Sequence, residues 1–219
     1  MILIGLDRRD YMDLINLNTP LTDEDVRKVK AGDVVYFNGE VWTCRSLLQK
    51  KIIDEGFEMP FSTEKRNVLI HMGPIMVKKN EKWTPVSMSP TTSIRFEKWI
   101  PETIKRWGLK AIVGKGTVGE KSRAVMKEYN CFHACPIGVY PQKLVDSVIE
   151  VVEVHWIEKI GLIEAPWVLR VRDFGPFMVD VDSYGDSYFE KVEDAVEKNK
   201  IKAYEMLGIP RNFEYSSLY

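Results

Sequence analysis

The sequence predicts an α/β layered domain, because segments typical of short strands cluster together while amphipathic helical segments stand apart from them. The chain has 219 residues, of which 45% are hydrophobic and 11% aromatic, so it can bury a sizeable core in one or two domains. No internal repeat or low-complexity linker divides it. The strands and helices do not alternate strictly, which disfavours a regular βαβ array.

The composition disfavours nucleic-acid binding and a membrane location. The 31 basic and 32 acidic residues give a formal net charge of −1, without the basic excess typical of a nucleic-acid binder. The apolar run Met1–Leu6 is shorter than the roughly 7–15 residues of a secretory signal. No apolar run approaches the roughly 20 residues that span a bilayer. We therefore expect a cytoplasmic protein whose cysteines, Cys44, Cys131 and Cys135, are reduced.

Five helices are predicted from capping residues and from apolar side chains at helical spacing. Thr22 is a suitable N-cap for the first helix, which Gly32 closes. Pro101 opens a later helix that ends at Gly108. The other three helices are predicted at residues 45–55, 118–129 and 189–207.

The predicted strands are apolar or β-branched runs bounded by polar turns. Asn38-Gly39 predicts a hairpin turn between the first two strands. The predicted strands span residues 34–37, 41–43, 67–72, 111–113, 151–156, 167–172 and 177–181. Residues 60–66 indicate a loop, residues 78–82 a polar turn, and the residues rich in Pro, Ser and Thr at 85–92 an irregular loop.

Gly114-Lys115-Gly116 lacks the pattern of a phosphate-binding loop. That pattern needs a glycine five residues before the first glycine and a Ser or Thr after the lysine, but positions 109 and 116 are Leu and Gly. Two interpretations remain open. The glycines either let the backbone present one ammonium group to an anion or form an ordinary turn from strand to helix.

Cys131-Phe132-His133-Ala134-Cys135 has the donor atoms of half a metal site, but no second pair completes four ligands. Buried thiols that act as small hydrophobic groups are the more common outcome. Three scattered cysteines also disfavour an iron–sulfur cluster held by this chain alone. No Ser-His-Asp arrangement can be read from the spacing of His71, His133 and His155, and the chain has no Gly-x-Ser-x-Gly motif.

Thr91-Thr92-Ser93-Ile94-Arg95 is the most unusual segment. Three adjacent hydroxyl groups and a guanidinium on one tight loop can hold a carboxylate by directional, charge-assisted hydrogen bonds. The alternative is a capping loop ahead of the helix that Pro101 opens. Composition alone favours the capping loop.

Four segments together resemble the β region of class I fumarases and L-tartrate dehydratases. Residues 19–36 resemble that family's "TPL…I..LKxGDxVY" opening, and residues 39–45 its "G.i.TARD" segment. Residues 89–95 resemble "GPTTSxRM", and residues 113–116 resemble "IGKG". A closing strand pair at 167–186 completes the likeness, in the family's order and close to its spacing.

The resemblance implies a swivelling β/β/α three-layer domain at residues 1–188, with residues 189–219 as an added C-terminal helical extension. It implies a hydro-lyase that adds or removes water on a small dicarboxylate such as fumarate, L-malate or tartrate. Activity would need an α subunit that holds a [4Fe–4S] cluster, whose open iron acts as a Lewis acid. This chain would bind no metal itself, and we expect a homodimer of it or an α2β2 assembly.

The resemblance also assigns candidate site residues by motif position. Thr91 is the candidate base, and Lys115 is a further cation close to the substrate with a catalytic role. Arg45, Arg95 and Lys115 would bind the substrate's carboxylates. A threonine can act as a base only where nearby cations and the exclusion of water favour its alkoxide.

Departures from the family pattern keep a second function open. Ser46 and Gln49 replace an acid and a histidine of the family's "RDxxH", and Asp186 stands where Asn is usual. These changes affect the choice of substrate more than the reaction type. The alternative is a non-catalytic paralogue that acts as a small-anion-binding or interaction module, which retention of all four candidate site residues opposes.

Overall fold

The computed structural model describes residues 14–138, 140–210 and 213, and it has the predicted mixed α/β character. The strands are β1 (Leu14–Asn18), β2 (Val34–Cys44), β3 (Val68–His71), β4 (Ile75–Lys79), β5 (Lys82–Ser87), β6 (Ala111–Val113), β7 (Phe132–Pro136), β8 (Val148–Val154) and β9 (Trp167–Val181). The α-helices are α1 (Asp23–Lys28), α2 (Ser46–Gln49), α3 (Ile100–Trp107), α4 (Glu120–Tyr129), α5 (Pro141–Asp146), α6 (Ile157–Ile160) and α7 (Tyr188–Leu207). A π-helical turn (Lys50–Asp54) follows α2, and a 3-10 turn (Ser93–Phe96) precedes α3.

The main sheet closes on itself. Strands β2, β3, β6 and β7 pair in parallel, and β1 also lies parallel to β2. Strand β9 runs antiparallel to both β7 and β2, so these five strands form a ring, with β8 paired to β9. The carboxyl ends of the four parallel strands therefore meet at one edge of the sheet, which we call the carboxyl edge.

Both faces of the sheet are covered, because side chains that alternate along each strand enter two separate cores. In the first core, the Phe37 ring stacks on Phe132 with centroids 6.3 Å apart and packs on Phe177 at 6.1 Å. In the second core, Trp42 packs edge-on against Trp107 of α3 at 5.2 Å. Helices α3 and α4 are thereby fixed against one face of the sheet.

The hairpin predicted at Asn38-Gly39 is wrong. Strand β2 continues through both residues, and its register with β9 shifts between Phe37 and Gly39. Gly39 does have the positive φ (+107°) that the local sequence indicates, and a side chain there would overlap Thr19. The positive φ of Gly39 therefore produces an irregularity within β2 and not a chain reversal. The reason is that neighbouring strands pair with β2 on both sides.

The remaining differences arise from pairing between distant segments. Residues 167–172 and 177–181 belong to one continuous strand, β9. The loop predicted at 85–92 begins inside β5, which pairs with β4, and the Cys131–Cys135 segment contains the unpredicted strand β7. Helices α5 and α6 were also not predicted, and α1 ends at Lys28, before Gly32.

Three predicted helices are confirmed. The helix that opens at Pro101 is α3, the helix that extends to Tyr129 is α4, and the C-terminal helix is α7. The predicted helix at 45–55 is present as α2 and the π-helical turn. No helix among the described residues has both the length and the apolar character needed to cross a bilayer.

Replacing Phe37 by Ala should destabilise the protein by about 3–5 kcal/mol, because this fully buried ring packs between two other aromatic rings and its loss leaves a cavity. Denaturant unfolding followed by circular dichroism would measure the free energy of unfolding. The control is Phe57→Ala, whose ring is 39% exposed and which should cost under about 1 kcal/mol. Equal losses for the two variants would contradict this account of the core.

Candidate functional site

A loop segment at residues 91–93, which we call the inserted segment, lies at the carboxyl edge between the ends of β3 and β6. The Thr91 N–H donates to the His71 carbonyl at 2.6 Å, and the Thr91 carbonyl accepts from the Lys115 N–H at 2.8 Å. The Ser93 N–H then donates to the Lys115 carbonyl at 3.0 Å, and Thr92 forms a parallel bridge with Lys115. Backbone hydrogen bonds thus fix Thr91 and Lys115 on neighbouring segments, just where the two strands separate.

Arg45 enters the same edge from β2. It is the N-cap residue of α2, directly after the last residue of β2, and the Met72 N–H at the end of β3 donates to the Cys44 carbonyl at 3.1 Å. The absence of a side chain at Gly73 leaves room for the arginine, since a Cβ there would lie 2.6 Å from Arg45 Cδ. The half-buried Arg45 side chain therefore crosses the end of β3.

Among the described residues, Glu164 is the carboxylate that pairs with Arg45. The Arg45 Nε lies 3.3 Å from Glu164 Oε1, which is close enough for ion-pair attraction but lacks hydrogen-bond geometry. The other oxygen of Glu164 accepts from the Leu47 N–H at 2.8 Å, so the first turn of α2 holds the carboxylate in place. This arrangement limits the positions that the guanidinium can reach.

Arg95 and Lys115 carry the exposed cations of the site. Arg95 lies on the 3-10 turn that follows the inserted segment, and Lys115 follows β6. Within the described part of the chain, neither side chain forms an ion pair. The backbones of Arg45, Thr91 and Lys115 converge at the carboxyl edge, whereas no hydrogen bond among the described residues joins Arg95 to the other three.

A chain of four fully buried polar side chains lies beneath the inserted segment. Ser93 Oγ is 2.9 Å from His71 Nδ1 and 2.9 Å from His133 Nε2. His133 Nδ1 is in turn 3.3 Å from Asp180 Oδ2. Two imidazoles thus share one hydroxyl group, and β3, β7 and β9 are joined to the inserted segment through it.

The single Ser93 hydroxyl proton fixes the direction of these hydrogen bonds when His133 is neutral. The Asp180 carboxylate accepts the His133 Nδ1–H, so His133 Nε2 must accept from Ser93. Ser93 Oγ then accepts the Nδ1–H of His71. His71 Nε2 is left as a buried acceptor without a hydrogen-bond partner among the described residues.

Sequence reasoning missed this chain of contacts, because its members lie 22, 40 and 47 residues apart. Ser93, His133 and Asp180 have the order of contacts of a hydrolase triad, yet the hydroxyl is not accessible to a substrate. Gly114 lies so close that a Cβ there would overlap Ser93 Oγ. Ser93 therefore fixes the inserted segment against the end of β6 and does not act as a nucleophile.

Burial keeps His71 and the three cysteine thiols neutral. Loss of solvent, reinforced by His133, lowers the pKa of His71 to about 3. Burial also raises the pKa of Cys135 to about 12, with a contribution from Asp180, and it raises the thiol pKa of Cys44 and Cys131. His71 and the three thiols are therefore uncharged near neutral pH.

These cysteines do not fit an iron–sulfur cluster. All three are buried free thiols, and an iron–sulfur cluster needs several cysteine ligands grouped around it. Among the described residues, no group of three or more His, Cys, Asp or Glu side chains is arranged to hold a metal ion. The chemistry of the site that this chain presents is that of cations and hydroxyls.

The residues that depart from the family pattern lie in different places. Ser46 and the fully buried Gln49 belong to α2, immediately after Arg45, so they lie at the carboxyl edge. Asp186 lies at the opposite edge, in a turn whose Asp182 accepts from the Ala31 N–H ahead of β2 at 3.1 Å. Asp186 is therefore not part of the site, because β9 runs antiparallel to the strands that build it.

Comparisons with known proteins give one consistent result. The sequence model of the family described as "Fumarase C-terminus" matches residues 6–192. The chain is 36% identical over 192 residues to a protein provisionally named L(+)-tartrate dehydratase subunit beta in Methanocaldococcus jannaschii, covering 86% of this chain and 96% of that protein. It is 34% identical over 171 residues to the L(+)-tartrate dehydratase subunit beta of Escherichia coli strain K12, covering 78% of this chain and 84% of that subunit.

A third relative is longer. The chain is 36% identical over 181 residues to a protein provisionally named class I fumarate hydratase in Geobacillus stearothermophilus. The match covers 82% of this chain but 34% of that protein. The matched part of this chain thus corresponds to about one third of that relative's length.

The buried His71 should make the stability fall as the pH decreases. Its pKa is about 3 in the folded protein and roughly 6.5 in an unfolded chain, so between these values the unfolded state binds the extra proton. We expect His71 to account for a loss of about 2 kcal/mol in the free energy of unfolding between pH 7 and pH 5.

The variant His71→Asn measures that contribution, because its amide can still donate to Ser93 but does not titrate. Urea unfolding at the two pH values should show a smaller loss for this variant than for the wild type. His155→Asn, at a partly exposed position on the surface, is the control and should keep the wild-type loss. The same loss in the wild type and His71→Asn would contradict a neutral, buried His71.

Proposed function

The chain belongs to the fumarase C-terminus family, and from this premise we propose that it is the β subunit of a hydro-lyase. The enzyme adds or removes water on a small dicarboxylate of the fumarate/L-malate or tartrate type. The observation that carries the proposal is the convergence of Thr91, Lys115 and Arg45 at the carboxyl edge. A hydroxyl and cations at one edge suit a substrate with two carboxylates.

The proposed chemistry follows from the charges that the reaction creates. Removing a proton from the carbon beside a carboxylate builds further negative charge, which fixed cations stabilise in a site closed to water. In the proposal, Thr91 takes this proton as its alkoxide, which the nearby cations favour, and Lys115 stabilises the developing charge. Arg45 and Arg95 bind the carboxylates.

The buried hydrogen bonds support the proposal by making the site rigid. Thr91 is held by backbone hydrogen bonds on both sides, and Ser93, two residues later, is held by two imidazoles. A preorganised group needs little rearrangement when the reaction occurs, which increases its contribution to catalysis. The same hydrogen bonds keep Lys115 beside Thr91.

We propose that the α subunit supplies the [4Fe–4S] cluster, since the described His, Cys, Asp and Glu side chains of this chain form no group that could hold a metal. The proposed enzyme is cytoplasmic, and this chain is inactive alone. Its domain at residues 1–188 is proposed to be a swivelling β/β/α three-layer domain that closes over the α subunit's cleft. Two covered faces of the sheet support that architecture.

The alternative is a non-catalytic paralogue that acts as a small-anion-binding or interaction module. One observation favours it: Ser46 and Gln49, which replace an acid and a histidine, lie directly beside Arg45 at the site. Such a protein would keep the cations without the reaction.

Co-expression with an α subunit encoded beside it, under anaerobic conditions, distinguishes the two functions. The proposal expects a complex with a bound cluster that hydrates fumarate or dehydrates malate or tartrate, while each subunit alone is inactive. A complex that contains the cluster but converts none of these dicarboxylates would refute the enzymatic function. Binding of the dicarboxylate without turnover would support the alternative.

Thr91→Ala in the assembled enzyme should lower kcat on the order of 100-fold or more, because the candidate base is lost. Thr91→Ser keeps a hydroxyl group and should retain a much larger share of the activity. Steady-state kinetics of the complex would measure both, with Thr84→Ala on the exposed face of β5 as the control. A kcat within a few-fold of the wild type for Thr91→Ala would exclude the base role.

Lys115→Met should lower kcat/KM on the order of 100-fold, because an exposed cation beside Thr91 is replaced by an apolar side chain of similar length. Lys105→Met, on the exposed surface of α3, is the matched control and should leave kcat/KM unchanged. If the two variants have the same kinetics, Lys115 does not act on the substrate.

A further inference from the structure

Helix α7 lacks the packing that normally stabilises a helix. None of its twenty residues is buried, although a helix of this length extends roughly 30 Å. Its first turn is anchored by the Ser187 side chain, which accepts from the Glu190 N–H, and by the ion pair between Arg123 and Glu190. Helices in proteins obtain most of their stability from an apolar face packed against a neighbour. Beyond this turn, Tyr204 contacts Phe213 with ring centroids 6.4 Å apart, but no described residue buries the apolar side chains of α7.

An apolar stripe follows one face of α7. Phe189, Val192, Val196 and Met206 are 38%, 41%, 54% and 77% exposed, and the smaller Ala203 is exposed as well. With Asn199, these side chains recur at alternating spacings of three and four residues, as the a and d positions of a two-helix coiled coil do. A polar Asn in such a stripe commonly fixes the register of the two helices.

The charges of α7 are segregated along its length. The first ten residues contain four acidic side chains and one lysine, whereas the last ten contain three lysines and one glutamate. Two such helices in antiparallel orientation place each acidic half against a basic half. In parallel orientation the like-charged halves would face each other.

We propose that the stripe on α7 is the contact surface for a second copy of this chain, with the two helices packed antiparallel about a twofold axis. In that register Phe189 faces Met206 of the other copy, and Val192 faces Ala203. Glu193 lies beside Lys200 across the contact. Every contact then occurs twice, as a twofold interface requires.

The second copy fits this surface better than the α subunit does. Most of α7 lies beyond residue 192, where the match to the family ends. Contacts with an α subunit that are common to the family therefore do not require α7. The antiparallel arrangement also keeps the two domains at opposite ends of the helix pair, since each domain is attached at the start of its own helix. The proposal concerns how copies of this chain assemble and does not depend on the reaction.

Sedimentation equilibrium of the full chain alone tests the proposal. We expect a monomer–dimer equilibrium with a dissociation constant on the order of 10 μM, because one helix pair is at the small end of specific interfaces. Val196→Glu should weaken the dimer at least about tenfold, since it places a charge in the apolar stripe of both helices. Ile201→Glu is the matched control, because Ile201 is 46% exposed but lies off the stripe, and it should leave the dimer unchanged.

A charge exchange tests the orientation. Glu193→Lys should weaken the dimer by about two- to tenfold, and adding Lys200→Glu should restore it, because the pair is re-formed with its charges reversed. A wild-type chain that remains monomeric overturns the proposal. The same holds if the chain is monomeric and Val196→Glu reduces only its binding to the α subunit. Equal effects of Val196→Glu and Ile201→Glu would also overturn it, as would a double variant that dimerises no better than Glu193→Lys.

Discussion

The Ser93 hydroxyl, shared by two buried imidazoles, is the interaction on which the carboxyl edge depends. Its neighbours come from β3, β7 and, through His133, β9, so one side chain joins three strands to the inserted segment. Hydrogen bonds are strong where water is excluded, so the three contacts among these four buried side chains favour one arrangement. Backbone hydrogen bonds connect Thr91 and Lys115 to these side chains, because Thr91 donates to the His71 carbonyl and Ser93 donates to the Lys115 carbonyl.

Strand direction decides which loops can contribute to the site. Four parallel strands end at the carboxyl edge, and their following residues include Arg45 and Lys115. Strand β9 closes the ring from the opposite direction, so the turn that contains Asp186 lies at the other edge. The closed ring leaves β2 paired on both sides, which explains why Asn38-Gly39 does not reverse the chain.

The site and helix α7 share one feature: each presents groups that have no partner among the described residues. Arg95 and Lys115 are exposed cations without ion pairs among the described residues, and the stripe on α7 is apolar and exposed. The cysteine thiols are buried, and the described side chains form no group that could hold a metal ion. The two proposed surfaces lie in separate parts of the chain, so α-subunit binding and self-association can be tested independently.

The sequence by itself determined the mixed α/β character, the helices with clear caps, such as α3 with Pro101 and Gly108, and the motifs that indicate the family. These features depend on local backbone preferences and on short spacings. Only the tertiary structure decided that β2 and β9 are continuous strands, and that Ser93, His133 and Asp180 meet beneath Thr91. The reason is that strand pairing and buried polar contacts join residues far apart in the chain, and no local pattern records which of them will be neighbours.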